Sequence, residues 1–119
     1  MSLRVEKSSK MLPSKAPQIN VHELAKSVVE SYRDHLRQNK DQLLLKSEKD
    51  DESTIELVCK VESPRHMSRR EVESLKSWIH RLLPMCGHVW VNQGNKKKDV
   101  WPAEVVVDFD PAVVHRVLQ

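Results

Sequence analysis

Glycine is almost missing from this chain, at 2 of 119 residues. With only Gly87 and Gly94, there is no glycine-rich loop to cradle a phosphate and no G-x-S-x-G nucleophile elbow. Cysteine is equally scarce. Cys59 and Cys86 make no disulfide framework, which favours a reducing, intracellular compartment, nucleus or cytoplasm. No apolar run approaches the roughly 20 residues of a membrane-spanning helix. Aromatic residues make up 4% of the chain, with one Phe, one Tyr and three Trp. What large apolar side chains there are must come mostly from Leu, Ile and Val.

What remains is enough for one domain with one modest core, at 39% hydrophobic and 31% charged residues. The net charge of +3 is mild but unevenly spread. Residues 62–98 carry eight basic against three acidic side chains, a net +5. Residues 99–119 carry one against four, a net −3. A localised basic surface is the electrostatic condition for meeting nucleic acid, an acidic protein or an anionic lipid. Residues 1–18, rich in Ser, Lys and Pro without apolar periodicity, read as a flexible leader. Its basic bias leaves organellar import open, although Glu6, Pro13 and Pro17 count against a presequence.

Residues 19–119 read as a single α+β domain. Asn20 with Glu23, and Ser68 with Glu71, form capping-box patterns, and Ile19/Leu24 and Met67/Val72 stand at the two positions of a hydrophobic staple. Behind these caps, Val21, Leu24, Ala25, Val28, Tyr32 and Leu36, then Val72, Leu75, Ile79, Leu82 and Leu83, repeat at helical spacing. The first helix should fade near Asn39, and Pro84 and Gly87 should end the second. Between them, Ile55, Leu57, Cys59 and Val61 alternate with polar residues as a strand, ended by Pro64. Leu43, Leu44 and Leu45, followed by an acidic turn over 47–53, read as the first arm of a hairpin with that strand, or else as a helical extension. Residues 88–110 read as a second hairpin with Lys96, Lys97 and Lys98 at its tip. Asp110 and Pro111 open a short terminal helix. The expected layout is helix, hairpin, helix, hairpin, short helix, with the helices on one face of a mainly antiparallel sheet.

Chemistry is harder to find. Six histidines are present, but the tightest group, Cys86-Gly87-His88 with His80 upstream, falls short of zinc-ligand spacing, so no metal or other cofactor is expected. Asp108 and Asp110 flank Phe109, yet Asp110 is already placed as a cap. No nucleophile–base motif is visible, which points away from an enzyme. The residues that suggest a function are basic. Arg65, Arg69 and Arg70 surround the start of the second helix, where cations oppose the helix dipole. Lys96, Lys97 and Lys98 sit between Trp90 and Trp101, whose rings are expected to be cross-strand neighbours and a stacking surface for bases.

The expectation is therefore a non-enzymatic binding module for RNA or another acidic partner, using those eight residues. The alternative is a protein-interaction or assembly domain, working through an uncovered sheet face (Trp90, Val106) and the terminal helix. Neither a membrane nor a small-molecule substrate is expected as a partner.

Overall fold

The computed structural model describes residues 18–49 and 54–118. The leader expected over 1–18 lies, apart from Gln18, outside the described residues. In chain order these form α1 (Val21–Gln38), α2 (Lys40–Lys49), β1 (Ile55–Ser63), α3 (Arg69–Leu82), β2 (Cys86–Gln93), β3 (Trp101–Phe109), a 3-10 turn (Pro111–Val113) and α4 (Val114–Val117). The three strands pair in the order β1-β3-β2, both pairings antiparallel. This is a small α+β domain with its helices packed against one face of an antiparallel sheet.

Both caps form where their spacing predicts, but only the one at α3 completes the reciprocal box. The Glu23 N–H donates to Asn20 Oδ1 at 3.0 Å, satisfying one of the unpaired donors at the start of α1. At α3 the box is complete. The Glu71 N–H donates to Ser68 Oγ at 3.2 Å, and the Ser68 N–H donates to Glu71 Oε1 at 2.8 Å. Behind each cap the apolar stripe enters the core, with Ala25, Val28, Val29, Tyr32 and Leu36 from α1 and Leu75 and Ile79 from α3. They meet the inward rows of the sheet, chiefly Ile55, Leu57, Val89, Ala103, Val105, Val107 and Phe109. Buried in that core, the Tyr32 hydroxyl donates to the Val105 carbonyl, so its one polar atom is satisfied. Burial holds its phenol well above the ordinary value.

One element differs from expectation. Leu43, Leu44 and Leu45 belong to α2, not to a hairpin arm, and β1 pairs with β3 instead. Asn39 breaks the helix for one residue, its side-chain amide donating to the His35 carbonyl at 2.8 Å, and the chain then turns helical again. The reason is local. The α2 sequence KDQLLLKSEK has no β-branched residue, and Leu, Lys, Gln and Glu all favour helix. Leu43 packs against the core, and α2 contacts the turn and helix that follow β3. Residues 47–49 of the expected acidic turn continue α2, and 50–53 lie outside the described residues.

The C-terminal elements start as expected, with the Ala112 N–H donating to Asp110 Oδ1 at 2.9 Å and Pro111 in the first turn. Val114 and Val117 are buried in the domain's own core. They are not available as a surface for a partner.

Candidate nucleic-acid interface

The lysine tip is built by the residues that close it. The Lys97 N–H donates to the Val100 carbonyl at 2.8 Å and the Val100 N–H returns to Lys97 O at 3.0 Å, leaving Lys98 and Asp99 as a two-residue turn. Such a turn needs positive φ at one or both central positions, normally supplied by glycine or asparagine. Here Lys98 takes it, at φ 54°, the only non-glycine residue with positive φ among those described. Lys96, Lys97 and Lys98 are all exposed.

Gln93 ties this tip to the start of α3. Its Oε1 accepts from the Met67 N–H at 2.8 Å, and its Nε2 donates to the Met67 carbonyl at 3.1 Å. The clamp fixes the last residue of β2 to the residue before the α3 cap. Lys96, Lys97 and Lys98 therefore share one end of the molecule with Arg65, Arg69 and Arg70. Sequence reasoning missed Gln93. The signal was its parity: Val89, Val91 and Gln93 share the inward face of β2, and a polar side chain there needs a partner.

The six cations are not equivalent. Arg65 makes a two-pronged pair with Glu71, at 2.8 and 2.6 Å, and also donates to the His66 carbonyl at 3.1 Å. Hydrogen bonding to Arg65 holds the Glu71 carboxyl down at about 2. Arg65 thus supports the cap of α3, and much of its charge is answered inside the protein. Arg69 and Arg70 are exposed on the first turn of α3.

The two tryptophans do not meet. Trp90 lies opposite Val106 on the face of the sheet away from the helices, whereas Trp101 is five residues further along β3 on the helix side. At about 3.4 Å per residue that is roughly 17 Å. Trp101 is half-buried, its ring edge-on to His66 with centroids 5.5 Å apart. The expected stacking pair is not formed, because an odd separation on one strand puts side chains on opposite faces.

The open face carries its own pattern. Val58, Val106 and Trp90 align across β1, β3 and β2 as one apolar row. Val58 is 51% exposed, Trp90 40% and Val106, between them, 7%. His88 stacks on Trp90 with centroids 5.8 Å apart. Around this row stand Glu56, Asp108, Lys60 and Glu104. At the root of the tip, a groove of about 860 Å³ holds Lys97 and Lys60 together with Glu62 and Glu104.

The remaining candidates have structural work. The His88 N–H donates to Asp108 Oδ1 at 2.6 Å, across an irregularity in β2 where Gly87 lies so close that a Cβ would come within 2.4 Å of that oxygen. Cys86 Sγ lies 3.4 Å from His80 Nδ1, and burial raises its thiol above the ordinary value, keeping it protonated. Among the described residues, no three His, Cys, Asp or Glu side chains are grouped to hold a metal ion. No described helix is long and apolar enough to cross a membrane. Compared with protein-family models, curated proteins and solved structures, the chain matches none.

Proposed function

We propose that this domain is a non-enzymatic module that binds RNA through its basic end. Lys96, Lys97, Lys98, Arg69 and Arg70 meet phosphates, and Arg65 holds the helix start that presents the arginines. The observation that carries the reading is the Gln93–Met67 clamp, which gives two basic segments 26 residues apart a fixed relation at one end of the fold. Two features support it. A lysine occupies the left-handed turn position where glycine costs less, and two arginines occupy a helix start whose dipole disfavours them. Both placements sacrifice some stability for exposed positive charge. Trp101, at the root of the tip, is the aromatic side chain nearest those lysines in sequence and the candidate for stacking a base.

The test is a titration of a short single-stranded RNA at two salt concentrations. Each lysine that contacts a phosphate contributes about 0.7 to the log–log salt slope on a single strand, so changing all three to Ala should flatten it by up to about 2. The Arg69→Ala, Arg70→Ala pair should weaken binding across all sequences. An absence of binding at low salt, or a triple variant that binds as the parent does, removes the RNA reading.

A second reading is favoured by the Val58–Val106–Trp90 row, an exposed apolar strip with mostly acidic neighbours. A strip of that kind suits a protein surface better than a phosphate backbone. Of the terminal helix, Val114 and Val117 take no part in this reading, since both are buried in the core.

A further inference from the structure

We propose that two copies of this chain pair through the free edges of β1, forming an antiparallel two-fold dimer centred on Val58. The proposal uses none of the basic-end residues and stands independently of the RNA reading. The sheet has two edges. The β2 edge is disrupted by the irregularity between Cys86 and Val89, whereas β1 keeps nine residues in unbroken register with β3. Among the described residues no strand pairs with the outer edge of β1. A groove of about 570 Å³ runs beside it, between Ser31 and His35 of α1 and Glu56, Val58 and Lys60 of the strand. A long, regular, accessible edge is a template for another strand.

The order of side chains says which strand fits. In antiparallel pairing, residues directly opposite each other point to the same face. Centring the pair on Val58 sets that residue against Val58 of the second copy and Glu56 against Lys60 of the second copy, twice by symmetry. On the helix side, Leu57 meets Cys59 and Ile55 meets Val61. Neighbouring registers lose this match. Centring on Cys59 sets Glu56 against Glu62, centring on Leu57 sets Glu56 against Val58, and centring on Lys60 sets the two lysines together. The apolar row Val58–Val106–Trp90 would also run unbroken through both sheets, covering the exposed Val58 side chain. Within one copy Glu56 stands opposite Asp108, a like-charge pair across the ladder, while the cation on its own strand, Lys60, stands opposite Glu104. Lys60 of the second copy would bring the missing positive charge to Glu56.

Sedimentation of the full chain over a range of concentrations tests this. A reversible dimer is expected. Glu56→Lys and Lys60→Glu should each weaken self-association about 10- to 100-fold, because each change acts at two symmetric contacts. The double exchange should restore it to within a few-fold of the parent. Glu56→Lys should melt no lower than the parent when dilute, since it removes the Glu56–Asp108 repulsion, and this separates loss of the dimer from loss of the fold. Independently, Val58→Cys in a Cys59→Ser, Cys86→Ser background should cross-link to its own copy under mild oxidation. Opposed Cα atoms in antiparallel strands lie about 4.5–5.5 Å apart, within disulfide range. A chain that stays monomeric at every concentration overturns the proposal. So does a dimer that is indifferent to both charge reversals and whose Val58→Cys variant fails to cross-link.

Discussion

In Glu71 three demands meet in one carboxyl group. It accepts from the Ser68 N–H to complete the cap of α3, and from two Arg65 nitrogens that fix the chain entering that helix. The Arg65 bonds are the main reason its carboxyl sits at about 2, against an ordinary 4.5. A carboxyl depressed in the folded state binds protons more weakly there than in the unfolded chain, so acid favours unfolding. Its contribution is complete above about pH 4.5 and is lost as the pH falls through about 2. Glu71→Gln should cost about 1 kcal/mol near neutrality, the usual worth of a cap contact. The same change should flatten the acid limb of the stability curve between pH 4.5 and 2, read by chemical denaturation at stepped pH. A limb as steep in the variant as in the parent would show that other carboxyls carry the acid sensitivity.

Among elements, the ones legible in the sequence are those whose signal is local. Both long helices announce themselves by a cap and a stripe, and β1 by its alternation, since each pattern is set by residues a few positions apart. Leu43, Leu44 and Leu45 fit a buried strand or a helix equally by hydrophobicity, and only propensity separates the two. The order β1-β3-β2 was out of reach, because pairing of distant strands leaves no mark in either strand alone. The Gln93 clamp joins residues 26 apart and is invisible for the same reason. Gln93→Ala should cost about 1–2 kcal/mol for the two lost bonds. It should also raise hydrogen exchange of the Met67 amide, which loses its acceptor. The terminal elements give a sharper test. Val114 has no exposed surface and Val117 has 4%. Val114→Asp buries an unpaired charge and should destabilise the domain by about 3 kcal/mol or more, measured as a lowered melting midpoint. A variant that melts as the parent does would mean that these elements can detach without loss of the core.

At the scale of the whole molecule, charge is sorted by place. The Gln93–Met67 clamp puts the lysine tip and the start of α3 at one end of the fold, whereas Lys76 and Arg81 lie further along α3. The acidic neighbours of the tip were not legible in the sequence. Glu62 and Glu104 come from different strands and face the same groove as Lys97 and Lys60. Their carboxylates lie beside the root of the tip, where a strand of RNA held by Lys96, Lys97 and Lys98 would also feel them. At physiological salt, charges are screened over about 8 Å, so a carboxylate sharing a groove with a phosphate-binding lysine still repels the phosphate. Glu62→Gln and Glu104→Gln together should therefore tighten RNA binding about two- to fivefold at low salt. The gain should shrink as salt is raised, since a repulsion removed at that range is the term salt would have screened. Both side chains lie on the open face, so the change leaves the core untouched and the melting temperature nearly unaltered. Titrating the same short RNA against parent and variant across salt concentrations measures the effect. Equal affinities at low salt would place the bound strand away from this groove, on the arginine side of the basic end.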